Sequence, residues 1–493
     1  MNQEVKIMKL YNSMSKSIEA FVPYHENEVK LYTCGPTVYN YAHIGNLRTY
    51  IHEDILQKSL ELLGYDVKRV MNITDVGHLE SDADDGEDKM LKGALRENKT
   101  VWQIAQYYTD AFFKDCEKLN IQKPDVVAKA TDYIDKYIDF IKTLEDKGYT
   151  YSANGNVYFD ISKFDRYTAL SKMNLEELRV AHRDDVEEDT FKKNPQDFVL
   201  WFTKSKFENQ AMKWDSPWGV GYPGWHIECS VISLTNLGEQ LDIHCGGVDH
   251  IPVHHTNEIA QTESYTGKPW TKYWWHAEFL IESEGKMSKS SGEFLTVSLL
   301  EKKGYDPLSY RYFVLGSHYR KQLTFSYDSL DMAQNAYFKL RKRTSALAEA
   351  NGYQAKGKTA RNYTDMSSKV LSGLTSEAKT LVEKFKDCLA DDLNTANALT
   401  VVYDVLKADI KDTEKVDLFE YMDTVLSLKL LEPVESLNAE VSDDEVQWIE
   451  AQLVKRAEAK KNKDWATADA IRDAFKEKGI TIIDTPEGAK WQK

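Results

Sequence analysis

Val29-Lys30-Leu31-Tyr32-Thr33-Cys34-Gly35-Pro36 opens the stretch whose reading decides the fold of this chain. Val29 to Cys34 reads as a strand, and Gly35-Pro36 turns the chain out of it. Leu47, Ile51 and Ile55 then recur at helical spacing. They predict a helix from about Asn46 to Leu63, with Gly64 where a helix-closing glycine belongs. Val67 to Ile73 reads as a second strand. Strand, helix and strand over this length make a βαβ unit, so the two strands should run parallel. The first third of the chain is therefore α/β.

Outward from this unit, Glu80 to Lys89 is acidic and poor in apolar residues, as in a loop. Between Pro124 and Pro195 a helix is expected over roughly Tyr133 to Lys147, and a short strand around Val157 to Ile161. This segment reads as an insertion into the α/β core. The core resumes near Trp218, with a strand at Leu241 to His244 and a turn at Gly246-Gly247. A helix follows near Glu258, then an apolar segment from Trp274 to Ile281. Beyond about Asp328 the chain turns helical. Glu432 to Val441 has the polar residues and proline of a linker, and a last helical pair and a short tail close the sequence.

The chain has 493 residues, which suggests about three domains at roughly 150 residues each. It contains no apolar run long enough to span a membrane and no signal-peptide core near Met1 to Leu10. The five cysteines, Cys34, Cys116, Cys229, Cys245 and Cys388, are odd in number and scattered. That pattern fits a reducing, cytoplasmic setting rather than a disulfide framework. The net charge of -16 argues against coating nucleic acid by bulk charge, but allows a local basic face.

Two pieces carry phosphate chemistry. His43-Ile44-Gly45-Asn46 enters the first helix, where backbone N–H groups favour anions, Gly45 allows close approach and His43 can donate to a phosphate oxygen. Lys286-Met287-Ser288-Lys289-Ser290, between Gly285 and Gly292, makes a cationic arm suited to a leaving pyrophosphate. In this order the two pieces resemble the HIGH and KMSKS motifs of class I aminoacyl-tRNA synthetases. The second is matched throughout. The first departs at Asn46, which keeps a hydrogen-bond donor and cannot carry charge.

Cys34, Cys229, His254 and Glu258 bear donor groups acceptable to tetrahedral zinc, and the last two fall on one face of a helix. Their separation along the chain does not by itself define a site. Cys34 to Tyr39, Pro223 to Cys229 and the His254-His255-Thr256-Asn257-Glu258 segment resemble the matching blocks of cysteinyl-tRNA synthetases. The resemblance extends over nearly the whole chain. It implies a Rossmann-like catalytic domain with an inserted connective subdomain, then an α-helical bundle and a small C-terminal anticodon-binding domain. The expected divisions are 1–123 and 216–327 for the catalytic halves, 124–215 for the insertion, 328–432 for the bundle and 433–493 for the RNA-binding end.

The resemblance also implies one zinc ion per chain, on Cys34, Cys229, His254 and Glu258. Zinc would read the substrate thiolate, since a thiol and a hydroxyl are nearly isosteric and shape discriminates poorly. Gly35, Thr74, Trp225 and Asp249 should line the cysteine pocket, with Asp249 on the substrate ammonium. His43, Asn46, Lys286 and Lys289 are the expected catalytic groups; Gly45 and Ser288 join them in holding ATP with its Mg2+. The sequence departs from the common family pattern at Val76 to Leu79, at Gly246 to Val253 and at Glu293. Lys455, Arg456, Lys460 and Lys461, with Trp491 in the tail, form the expected tRNA contact. The implied activity joins L-cysteine to tRNA(Cys) in a monomer. Two rivals share parts of the pattern: a cysteine ligase of the mycothiol pathway acting on an amino sugar, and a non-enzymatic RNA-binding descendant of a synthetase.

Overall fold

The computed structural model describes residues 6–77, 89–97, 99–174, 189–204, 212–282, 285–286, 294–353, 372–433, 443–462, 464–478, 480–485 and 488–492. The organising element is a five-stranded sheet. Its spatial order is Thr271–Ala277, Leu241–Gly247, Glu28–Thr33, Asp66–Ile73 and Val126–Lys129, with every neighbouring pair parallel. The chain starts in the middle strand, builds toward one edge, then crosses to build the other. The reversal falls between Glu28–Thr33 and Leu241–Gly247. In open parallel sheets ligands bind at the C-terminal end of the strands beside such a reversal.

The βαβ unit is as the spacing predicted, with its helix at Ile44–Leu62, starting two residues before the expected Asn46. His43 caps it, its side chain accepting from the Gly45 N–H, so the helix begins where that acceptor ends the unpaired first turn. The apolar face alone does not describe this helix. Arg48, His52, Glu53, Asp54, Gln57, Lys58 and Ser59 are also buried, because the helical region covers the face away from the sheet. Asp54 Oδ2 accepts from Lys58 Nζ and from Arg311 Nη2, each at 2.7 Å, while Lys58 Nζ also donates to Ser427 Oγ at 2.8 Å. These two cations hold the Asp54 carboxyl below the usual range against the opposing effect of its burial. Glu53 pairs with Arg69 at 3.3 Å, and burial pushes it up to about 8.

The inserted segment forms its own four-stranded antiparallel sheet from Thr150–Ala153, Asn156–Phe159, Phe198–Phe202 and Tyr222–Pro223. Its pairing therefore runs past residue 215, through Tyr222–Pro223, to the start of the helix His226–Leu237. The helix Ile134–Asp146 seats the insertion on the core, where Phe140 stacks on Tyr265 at 4.4 Å.

Three local expectations change. The apolar run from Trp274 to Ile281 is two strands: Thr271–Ala277 in the parallel sheet, and Leu280–Glu282 in a separate three-stranded sheet with Gly285–Lys286 and Leu323–Phe325. Gly246-Gly247 continues the strand rather than turning it. The tail is an antiparallel hairpin, Thr481–Thr485 with Gly488–Gln492, rather than a plain extension. Helices follow at Tyr327–Ala350, Ser376–Ala390, Thr395–Lys407 and Asp412–Leu426, and a final pair at Asp443–Lys461 and Trp465–Glu477. The acidic loop and the linker expected from Glu432 lie largely outside the described residues.

Candidate functional site

Cys34 directly follows the middle strand of the sheet, and its N–H donates to the Cys245 carbonyl across the strand reversal. Cys229 lies in the first turn of the helix His226–Leu237. His254 begins the helix His254–Thr266, and Glu258 stands one turn later on the same face. The four side chains are buried, and their donor atoms all lie within 4.8 Å of one another. Cys34 Sγ is 3.9 Å from Cys229 Sγ; His254 Nε2 is 3.5 Å from Cys229 Sγ and 3.0 Å from a Glu258 oxygen.

A second set, overlapping the first, was not anticipated. Cys34, His244, His255 and Glu258 also bring their donor atoms within 4.8 Å of one another. His244 Nε2 is 3.5 Å and His255 Nε2 3.4 Å from Cys34 Sγ. His255 precedes Glu258 by three residues, a spacing the sequence does display. His244 is paired with Tyr32 on the adjoining strand, which only the sheet register reveals.

The electrostatics of this cluster suit a cation. Burial pushes the Glu258 carboxyl well above the usual range, assisted by the neighbouring Cys229 sulfur. Burial, with Cys229 and Glu258 beside it, likewise raises the Cys34 thiol. His244 and His255 are pushed down, burial again being the main cause. Each group is thus driven toward its neutral form, yet neither Glu258 oxygen accepts a properly directed hydrogen bond. A completely buried carboxyl without a donor is costly by itself. A divalent cation reverses these preferences by stabilising thiolate and carboxylate together. Two sulfurs, an imidazole and a carboxylate fit zinc.

A ring of further contacts orients the set. His226 Nδ1 lies 2.9 Å from His254 Nδ1, leaving the Nε2 edge of His254 toward Cys229 and Glu258. His255 Nδ1 meets His276 Nε2 at 2.8 Å, and His276 Nδ1 meets Ser13 Oγ at 2.8 Å. Such partners set which imidazole nitrogen faces a metal.

The class I tRNA synthetase (C) catalytic domain matches residues 20–335, and the DALR domain matches 384–415. The chain is 47% identical to a cysteine–tRNA ligase of Treponema denticola, covering 99% of each. It is 45% identical to a cysteine–tRNA ligase of Borrelia turicatae, covering 98% of this chain and 99% of that one. The chain belongs to the cysteine–tRNA ligase family. Methionyl-tRNA synthetase of Mycobacterium tuberculosis, solved with methionyl-adenylate, shares the fold of this family member at a TM-score of 0.53 and 17% identity, over 83% of this chain and 92% of that one.

In this cysteine–tRNA ligase family member, the other expected pocket residues occupy the same edge of the sheet. Thr74 ends the strand Asp66–Ile73 and is buried; its hydroxyl donates to Glu228 at 2.7 Å and accepts from Asn72 at 3.1 Å. Glu228 and Asn72 are thus the hydrogen-bond partners of Thr74, a link that sequence reasoning did not single out. Trp225 is half-buried with its ring 4.6 Å from His254. Asp249 is exposed on the short turn after the strand Leu241–Gly247. Gly35 donates its N–H to Asn72 Oδ1 at 2.8 Å, and a Cβ there would stand 1.7 Å from the Asn72 carbonyl oxygen. Gly35→Ala should force the two strand ends apart and cost about 1–3 kcal/mol of stability. Chemical denaturation measures this, and an unchanged midpoint would show that the strands part freely.

In the loop before the first helix, the partly buried His43 ring packs against Phe294, 5.2 Å between centroids, and burial lowers its pKa to about 4. Its Nδ1 accepts from the Gly45 N–H at 3.1 Å, so in the neutral ring the proton resides on Nε2. Asn46 is exposed in the first turn. Ile44 N–H donates to the Leu295 carbonyl at 2.9 Å, tying this loop to the far end of the KMSKS segment. Lys286 pairs through its backbone with Ile281, while its side chain and the whole of residues 287–293, including Ser288 and Lys289, lie outside the described residues.

In the final helix pair Lys455 and Lys461 are exposed and Lys460 is partly so. Arg456 is different: it is only 8% exposed. It lies seven residues after buried Ile449, on the face turned to the partner helix, so the basic run does not form one surface. The Trp491 backbone pairs with Ile482 in the terminal hairpin; its side chain is outside the described residues. Cys116 and Cys245 are buried in the main core, and Cys388 packs partly against it.

Proposed function

We propose that this protein activates L-cysteine with ATP and transfers it to tRNA(Cys), acting as a monomer in the cytoplasm. The carrying observation is the buried Cys34, Cys229, His254 and Glu258 cluster at the sheet reversal, in a chain of the cysteine–tRNA ligase family. The division of labour follows the sequence expectation: catalysis by 1–123 and 216–327, with 124–215 inserted, 328–432 as the bundle and 433–493 toward the RNA. The Tyr222–Pro223 pairing favours placing the end of the insertion somewhat later. No helix among the described residues is long and apolar enough to cross a membrane.

Cys34, Cys229, His254 and Glu258 would hold a zinc ion, which when bound would supply a soft Lewis acid that favours a thiolate over a hydroxyl. Gly35, Thr74 and Trp225 shape the pocket, and Asp249 faces the ammonium. The substrate carboxylate is already an anion, so attack on the α-phosphorus of ATP needs positioning and charge stabilisation rather than a general base. His43 donates from Nε2 to a phosphate oxygen, Gly45 admits the phosphates close to the backbone, and Asn46 adds an amide donor. Lys286 and Lys289 neutralise charge on the departing pyrophosphate and Ser288 offers ATP a hydroxyl hydrogen bond, with Mg2+ accompanying ATP. A hydroxyl of the terminal ribose of tRNA then attacks the carbonyl of the cysteinyl-adenylate, forming the ester as the bond to phosphate breaks and AMP leaves.

Cysteine-dependent ATP–pyrophosphate exchange followed by transfer to tRNA tests this function. Exchange without transfer would favour a ligase for an amino-sugar acceptor, and no exchange would favour a binding protein. For the RNA end, Lys455 and Lys461 are assigned to phosphates and Arg456 to bracing the helix pair. Replacing Lys455 and Lys461 together by alanine should weaken tRNA binding and reduce the slope of log affinity against log salt by about 1–2. An unchanged slope would remove these lysines from the contact.

A further inference from the structure

Asp392 occupies a junction that the proposed mechanism does not use. It is 2% exposed, and it and Leu393 both have left-handed backbones, with φ of 54° and 57°. Two successive non-glycine residues hold that conformation only when their surroundings dictate it. Here the surroundings come from three parts of the chain. Asp392 N–H donates to the Lys9 carbonyl, and Oδ1 accepts from Tyr11 N–H at 2.9 Å, both in the N-terminal hairpin. Oδ1 also accepts from the Tyr319 hydroxyl at 2.6 Å, and Oδ2 accepts from Arg320 Nε at 2.7 Å. The residue itself belongs to the helical region, just before the helix Thr395–Lys407.

The turn that Asp392 holds is shared with the nucleotide loop. Arg48, fully buried in the helix that His43 caps, donates to the carbonyls of Glu278, Phe279, His318 and Lys321. Immediately after that turn, Leu323–Phe325 pairs with Leu280–Glu282, which in turn pairs with Gly285–Lys286. Tyr319 meanwhile stacks on Trp275 of the parallel sheet at 4.5 Å. One buried carboxylate therefore grips the turn from the bundle side, and Arg48 grips it from the nucleotide side. Four backbone acceptors around a single guanidinium leave little freedom for the turn to shift without moving the helix.

We infer that Asp392 is a positioning residue for adenylate formation: through the His318–Lys321 turn and Arg48, it sets the alignment of the His43 loop against the strand that carries Lys286. This rests on the proposed synthetase function. Asp392 then governs turnover rather than cysteine binding, because its hydrogen-bond partners Lys9, Tyr11, Tyr319 and Arg320 include none of Cys34, Cys229, His254 and Glu258.

The test compares Asp392→Asn, Arg320→Gln and Val405→Ala in the full-length, zinc-loaded protein. Val405 is a buried apolar residue of the same helical region and no hydrogen-bond partner of Asp392. Cysteine-dependent pyrophosphate exchange, zinc per chain and Tm are measured for each. Asp392→Asn should lower the exchange kcat about tenfold, with KM for cysteine and zinc content each within about twofold of the parent. Arg320→Gln should act in the same direction, and it decides the matter if Asp392→Asn does not fold. Val405→Ala should lower Tm while keeping kcat within about twofold. The inference is overturned if the folded Asp392 and Arg320 variants keep the parent's kcat, or if Val405→Ala loses as much turnover for the same loss of Tm. A parent protein without exchange would instead overturn the functional reading on which the inference rests.

Discussion

Cys229→Ser should lose zinc and cysteine binding together, with metal affinity reduced well over about tenfold, and leave ATP binding largely intact. The reason is spatial. Cys229 and its neighbours sit at the strand reversal, whereas the proposed phosphate contacts belong to other segments, the His43 loop and Lys286 to Lys289. Selection against serine should fall with cysteine activation, since the pocket is left with shape alone. The second donor set sharpens the expectation. Cys34 and Glu258 belong to both sets, while Cys229 belongs to one. Cys34→Ser should therefore remove more metal than Cys229→Ser. Zinc per chain by elemental analysis, with cysteine, serine and ATP affinities on the same preparations, reads all of this. A variant that loses its metal yet binds cysteine as tightly as the parent, and still excludes serine, would refute the thiolate-reading role. Equal loss of ATP and cysteine binding with a lowered Tm would identify a structural metal.

Lys289→Ala should reduce the rate of cysteinyl-adenylate formation by about 10²-fold or more, with zinc content unchanged. Charge on the departing pyrophosphate grows toward the transition state, so a cation that meets it there contributes to rate more than to ATP affinity. Single-turnover formation of the adenylate separates the two. Burial pushes the His43 ring down to about 4 and so favours its neutral form, which leaves the proposed charge stabilisation to the lysines near neutral pH. Unchanged pyrophosphate exchange in the variant would assign the charge stabilisation to other groups.

Periodicity was a good guide where one physical cause dominated. The βαβ unit was legible because alternating strand and helix patterns report burial against a single sheet. The start of the first helix was legible because a glycine-bearing entry to a run of helical apolar spacing is a local feature. The metal set was legible only through resemblance, since Cys34 and Cys229 are brought within 3.9 Å by the sheet reversal and not by spacing. His244 was missed for the same reason: a histidine inside an apolar strand looks like core until the register sets it beside Tyr32. The burial of Arg456 was not legible in its basic run, because helical rotation, not residue type, turns it inward.

The sequence by itself determined the parallel α/β core, the succession of strands and helices along it and membership of the synthetase family. All of these are carried by local pattern or by motif. Only the tertiary structure decided that the polar face of the first helix is buried, that Asp54 is shared by Lys58 and Arg311, and that Cys34 and Glu258 serve two donor sets. It also made Asp392 the meeting point of the N-terminal hairpin, the helical region and the turn beneath the nucleotide loop. Each of these depends on which surfaces distant segments bury against one another. Side-chain patterns along one segment report that a face is covered or exposed; they carry no record of what covers it.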